Sequence, residues 1–177
     1  MKGEIFMDAN RMKRELGGGA VFPIGAENTA YAQYFTGECY LNMLTTSGVG
    51  IGVVTFAPGT INAWHIHHKG GQILLVTGGR GWYQEDGKPA RALAAGDVVN
   101  IPPEVKHWHG AAVDCWFQHL AVEVPAEGAS NEWLEFLPTE DYASLQRIFH
   151  GKERKLYGES KDIFYTGDHT TGDGSSL

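Results

Sequence analysis

Gly59-Thr-Ile-Asn-Ala-Trp-His65-Ile-His67-His-Lys-Gly-Gly-Gln72-Ile-Leu-Leu-Val-Thr-Gly-Gly79 is the stretch on which the reading of this chain turns. It sets two histidines at i and i+2, then a glycine turn, then an amide at the head of an apolar run. In an extended strand, side chains two apart point to one face. His65 and His67 therefore reach toward the same point. Lys106-His107-Trp108-His109 repeats the pattern, so His107 and His109 share a face on another strand. Neutral imidazoles are good ligands for first-row transition metals. Two His-x-His pairs on strands of one small domain point to a metal site.

Working outward, the segments around these pairs read as strands. They are Tyr40-Leu-Asn-Met-Leu-Thr-Thr, Val49 to Phe56, Gln72 to Thr77, Gly81 to Glu85, Asp97 to Ile101 and Trp116 to Val124. Each is short, rich in β-branched or aromatic residues, and bounded by Gly, Pro or Asp. Asp86-Gly87 is a hairpin signal. The run Gly78-Gly-Arg-Gly81 has no following Lys-Ser/Thr and no helix, so it reads as a hairpin turn and not as a phosphate loop. Consecutive strands without intervening helices predict an all-β antiparallel sandwich or small barrel.

In the last of these strands the residues at 117, 119, 121 and 123 alternate onto one face. His119 then lies opposite Leu120 and Val122, and the barrel interior is its economical place. Glu123, near the strand end, reads as a surface residue. His68 alternates away from His65 and His67 toward the surface. Trp64, Trp82 and Trp108 read as barrel wall, Asp97 as turn chemistry, and Tyr83 and Lys106 as strand packing and a solvated charge more than as substrate contacts.

The flanks differ in character. Residues 1–39 form an N-terminal arm, 40–125 the strand core, and 126–177 a C-terminal extension. In the arm, Phe22, Tyr31, Tyr34 and Phe35 lack clean periodicity and predict a segment packed on a sheet or on a partner subunit. In the extension, Tyr142, Leu145, Ile148 and Phe149 recur at helical steps. They predict one helix, with Thr139 as N-cap and Gly151 as its end. A polar, glycine-rich tail follows.

Composition narrows the function classes. The chain has 177 residues, 42% apolar and 20% charged, which fits one globular domain. A formal net charge of −7 argues against nucleic acid and acidic membranes as partners. No apolar run approaches the roughly 20 residues of a membrane helix. The first residues carry no apolar signal-peptide core. Cys39 and Cys115 have no metal-type or redox-type spacing and read as buried free thiols in a reducing compartment. A cytoplasmic protein is the simplest expectation.

The motifs now support a resemblance. Gly59-x5-His65-x-His67-x4-Gln72-x6-Gly79 resembles the first motif of the cupin superfamily. Gly96-Asp-Val-Val-Asn-Ile-Pro102-x4-His107 resembles the second. The resemblance implies a double-stranded β-helix, the cupin jelly-roll barrel, with one divalent metal held by His65, His67, Gln72 and His107. Manganese is the first expectation, with iron, nickel or zinc as alternatives. Two features depart from the pattern. Gln72 stands where the family's usual glutamate ligand falls, and Glu104 and Ala111 replace the second motif's glycine and asparagine. One extra residue separates His67 from Gln72, and Gly70-Gly71 has room to absorb it. Three imidazoles and an amide leave a divalent ion its full +2 charge. That favours polarising a carbonyl, stabilising an enolate or binding cyanide over redox chemistry.

A longer set, His-x-His…Gln…His-Trp-His-Gly-Ala…His-Leu-Ala, is similar to the single-domain cupins associated with carboxymuconolactone decarboxylases and to manganese-dependent cupin hydroxynitrile lyases. That resemblance implies pocket roles for His109 and His119 as acid, base or orienting groups. A lyase acting on a small carbonyl- or carboxylate-bearing substrate is expected first. A dioxygenase on the same ligands and a non-catalytic binding cupin are the alternatives. Small cupins usually pair sheets, which implies a homodimer.

Overall fold

The structure, a computed structural model, describes residues 14, 16 and 21–145. The rest of the N-terminal arm, the helix end expected at Gly151 and the tail expected after it lie outside the described residues. Ten strands are described: β1 (Ala26–Glu27), β2 (Cys39–Thr45), β3 (Gly50–Phe56), β4 (His65–His68), β5 (Gln72–Glu85), β6 (Arg91–Ala94), β7 (Val98–Ile101), β8 (His107–Ala111), β9 (Phe117–Glu123) and β10 (Ser130–Trp133). All pair antiparallel in the order β1-β2-β3-β9-β5-β8-β4-β10, with β6 and β7 also on β5. The sheet is curled, as the alternating strand pattern predicts.

β5 organises the curl. Its first half pairs with β7 and β9, its second half with β6 and β8. One strand thus passes from one side of the barrel to the other. The glycines at Gly78 to Gly81 predict a hairpin turn, and here the structure differs: Gln72–Glu85 is one strand of 14 residues. The glycines make a bulge, not a reversal. The register against β9 shifts between Val76 and Gly78. Gly79 has φ +72°, and a Cβ there would lie 1.7 Å from the carbonyl oxygen of Trp116. Only glycine lets the strand bend and still stay paired at that point.

Inside the curl, Phe56, Leu74, Val76, Leu93, Ile101 and Phe117 form the main core. The three wall tryptophans lie on the opposite side. Trp64, Trp82 and Trp108 pack with Ile61 beneath Leu134, Leu137, Tyr142 and Leu145 of the C-terminal segment. Residues 139–145 are helical. The first helical acceptor is the Pro138 carbonyl, which takes the Tyr142 N–H at 3.1 Å, so Thr139 is the first helical residue and not the N-cap. The Tyr142 hydroxyl donates to the Ala111 carbonyl at 2.8 Å and ties the helix to β8.

The described arm packs on the sheet. β1 pairs with β2, Phe35 bridges to Asn62, and the Tyr34 ring stacks on Trp133 at 4.5 Å. Cys39 and Cys115 are free thiols; Cys39 is buried, whereas Cys115 is only half-buried. Burial pushes the Cys39 thiol up to about 12, so it is an inert packing group. Among the described residues no helix is long and apolar enough to cross a membrane.

Candidate metal centre

β4 and β8 bring the two His-x-His pairs together, because His65 and His107 are register partners. Alternation then sends His65, His67, His107 and His109 inward, and all four are buried. One ring nitrogen from each of His65, His67 and His107 lies within 4.8 Å of the others, a group able to hold a metal ion. Ring centroids are 4.0 Å apart for His65 and His107 and 5.2 Å for His65 and His67.

Local backbone sets the direction of two of these rings. His65 Nδ1–H donates to the Ala63 carbonyl at 3.0 Å, and His107 Nδ1–H donates to the Val105 carbonyl at 2.9 Å. A carbonyl only accepts, so each Nδ1 carries the proton and each Nε2 keeps its lone pair. His107 Nε2 is buried without a hydrogen-bond partner among the described residues, and so is His67 Nε2. Buried polar atoms are nearly always paired. Two orphaned imidazole nitrogens in one cluster therefore fit a bound cation. Burial pushes His65 well below its usual range, helped by the neighbouring His107, and lowers His107 to about 4. Both rings stay neutral, as ligands must.

Gln72 lies at the start of β5 and is buried. Its Oε1 also has no partner among the described residues. Its Nε2 donates to Glu123 Oε1. The second oxygen of that carboxylate lies 3.2 Å from His67 Nδ1. Glu123 is therefore not the surface residue expected from its place near a strand end. It is half-buried, and its carboxylate turns inward. Burial alone would raise its carboxyl, but the His67 ring and the Gln72 amide outweigh that and hold it below the usual carboxylate range. The sequence held the signal: Glu123 alternates onto the His119 face.

His109 and His119 sit beside this cluster. Their rings meet edge to face at 4.9 Å. Both are fully enclosed, and burial lowers His109 well below its usual range and His119 to about 4; the neighbouring His119 ring, which would repel a second proton, adds to the effect on His109. Asn62, which sequence reasoning did not single out, settles the His109 tautomer. Its Oδ1 accepts the His109 backbone N–H at 2.9 Å, so its Nδ2 faces the ring and donates to Nε2 at 3.2 Å. The ring proton is then on Nδ1, which is buried without a partner among the described residues. Neither His119 ring nitrogen makes an aligned hydrogen bond among them, and its only polar neighbour there is the Leu120 main chain, which partly offsets the effect of burial.

These groups, His107 excepted, border one cavity of about 260 Å³. His65, His67, Gln72, His109 and His119 supply its polar wall, and Phe35, Val54, Phe56 and Trp133 its apolar wall. Trp133 also stacks on the His65 ring at 4.7 Å, a contact that the polar sequence of β10 gave no sign of. Tyr83 and Lys106 do not border this cavity. The Tyr83 hydroxyl donates to Glu85, and Lys106 pairs with Glu135 above Trp64. His68 points outward between Glu104 and Glu132 at 2.6 and 2.9 Å.

A family profile described as the cupin domain matches residues 52–115. An (R)-mandelonitrile lyase from Granulicella tundricola is 39% identical over 115 residues, which make up 63% of this chain and 87% of that protein. The chain belongs to the cupin family. A cupin-like protein from Thermotoga maritima is 42% identical, with a TM-score of 0.65 over 70% of this cupin and 95% of that chain. A Klebsiella pneumoniae protein with a double-stranded β-helix domain is 24% identical over 56% of this cupin and 87% of that chain, with a TM-score of 0.50, a likeness of fold alone.

One departure from the family pattern now has a physical account. Glu104, where the second motif expects glycine, has φ +65°. That backbone region favours glycine. Glu104 offsets the strain through its side chain, which accepts the Lys69 N–H at 2.9 Å and meets His68.

Proposed function

We propose that this cupin is a metal-dependent lyase that breaks a carbon–carbon bond beside an oxygen-bearing carbon of a small substrate. His65, His67 and His107 would hold the ion through Nε2, and Gln72 through Oε1. When bound, a divalent ion, manganese first and iron, nickel or zinc after it, supplies Lewis acidity toward a substrate oxygen. The observation that carries the reading is the neutral His109–His119 pair, set in the same cavity as His65, His67 and Gln72 and taking no part in the three-histidine cluster. The name of the Granulicella relative, an (R)-mandelonitrile lyase, supports it.

The protonation pattern divides the work. His119 borders the cavity and is neutral, so it takes the proton of a substrate hydroxyl. The imidazolium so formed at His119 gives that proton back to the departing carbon fragment, and the neutral His109 ring, edge to face with it, orients it. That return leaves both rings neutral again, as at the start. General acid and base steps of this kind contribute roughly 10²–10⁴ in rate. Phe35, Phe56 and Trp133 give the cavity an apolar wall, and its volume leaves room for a single-ring substrate. A dry cavity of about 150 Å³ already admits benzene.

Exposed Met43, Leu44 and Val49 around the β2–β3 turn support a homodimer. The free thiols support a cytoplasmic setting. Manganese-loaded protein mixed with mandelonitrile, with oxygen uptake followed alongside, tests the function. Benzaldehyde and cyanide released without oxygen uptake bear it out. Oxygen uptake with iron-loaded protein points to a dioxygenase on the same ligands. Tight binding without turnover points to a binding protein.

A further inference from the structure

We propose that Glu123 is the positioning residue of the metal centre: its one carboxylate turns the Gln72 amide oxygen and the His67 Nε2 lone pair toward the same point. The inference rests on the metal reading above.

The four candidate ligands divide into two kinds. His65 and His107 are oriented by main-chain carbonyls two residues upstream. His67 and Gln72 have no such anchor among the described residues, and Glu123 serves both. The strand register puts it there, because Gln72 and Glu123 are direct partners on β5 and β9. Directly opposed residues of an antiparallel pair share a face.

The chemistry of the three groups is restrictive. A carboxylate offers only acceptors, and an amide offers donors at one end and an acceptor at the other. With its Nε2 committed to Glu123, Gln72 must present Oε1 away from it, and that oxygen is the buried, unpartnered one. A carboxylate oxygen 3.2 Å from His67 Nδ1, a close contact without the alignment of a hydrogen bond, favours the proton on Nδ1 and the lone pair on Nε2, which is also buried and unpartnered. The site thus keeps a carboxylate, but one atom layer behind the ligand position. Outer partners of this kind orient ligands and tune affinity.

Substituting Glu123→Gln makes the constraint visible. The new amide has one acceptor end and one donor end. If its oxygen takes the His67 N–H, its nitrogen faces that of Gln72, and Gln72 must turn its own nitrogen to the ion. An amide nitrogen carries no lone pair to offer a metal. In the swapped pair, Q72E with E123Q, every group is satisfied again. The amide at position 123 accepts from His67 and donates to the carboxylate at position 72. That carboxylate presents its other oxygen to the ion.

The test is Mn(II) affinity by competition with a chelator, joined to the electron paramagnetic resonance spectrum of bound Mn(II) and to melting of the metal-free proteins. We expect E123Q to bind Mn(II) roughly 10- to 100-fold more weakly than wild type, with an altered spectrum and a metal-free melting temperature unchanged from wild type. The swapped pair should recover affinity. E123Q matching wild type in affinity and spectrum would overturn the inference alone, as would a swapped pair no tighter than E123Q. A wild type that takes up no Mn(II) would overturn the metal reading and this inference with it.

Discussion

The two His-x-His pairs are alike in sequence and differ in what the fold makes of them. In each, the first histidine is tied by Nδ1–H to a carbonyl two residues before it, Ala63 for His65 and Val105 for His107. The second histidines diverge. His67 meets a carboxylate, Glu123, and keeps a free lone pair on Nε2. His109 meets an amide, Asn62, which donates to Nε2 and leaves the proton on Nδ1. Residue, spacing and inward face are the same in both. The neighbour across the barrel makes one ring an electron-pair donor and the other a hydrogen-bond donor.

Substitutions can break that contrast. The largest effect is expected from His107→Ala or His67→Ala. Since outer partners alone are worth roughly 10- to 100-fold in metal affinity, loss of a ligand should weaken Mn(II) binding by more than about 100-fold. Turnover should go with it, as metal analysis and a rate assay will read. His119→Gln or His109→Phe should instead leave metal content intact and lower turnover by roughly 10²–10⁴. Loss of metal from those variants would mean that the two pairs are not divided as described.

Asn62→Asp sharpens the contrast further. The carboxylate it introduces still accepts the His109 N–H but cannot donate to Nε2, so it selects the other tautomer. Turnover should fall roughly tenfold or more, with metal affinity held. A ring-nitrogen shift in the NMR spectrum of labelled histidine would report the tautomer directly.

A pH effect comes next. An unfolded histidine takes a proton near a pH of about 6.5, whereas His107 and His119 resist until about 4 because they are buried. Between those values the unfolded state binds more protons, so stability of the metal-free protein falls as pH drops from about 6.5 toward 4. Above that window these two histidines add no slope. Each such histidine is worth about 3 kcal/mol at the acid end, and thermal melts across this range will show the slope. The smallest effect belongs to His68→Ala, an outward-facing neighbour of His67. The melting temperature should move by no more than about 2 °C, with metal content unchanged.

Much of this was legible in the chain, for a definite reason. Strand alternation has period two, so His65, His67, His107, His109 and His119 declare a shared inward face by spacing alone. The Asp86-Gly87 turn declares itself by its φ requirement. What did not show are facts of register. Gln72 and Glu123 lie 51 residues apart, as Asn62 and His109 lie 47 apart, and only pairing across the curl reveals either contact. Gly79 misled for a related reason. A glycine with positive φ serves a hairpin and a bulge equally, and the choice between them is made by the Trp116 carbonyl that packs against it. Trp133 reaches His65 from a strand of polar residues with no alternation to announce it.

The claim beneath all of this is that His65, His67 and His107 hold one divalent ion. Elemental analysis of the purified full chain, beside its H65A and H107A variants, tests it most directly. We expect close to one transition-metal ion per wild-type chain and near none in either variant, with all three proteins folded by circular dichroism. Folded variants that retain the metal in full would contradict it.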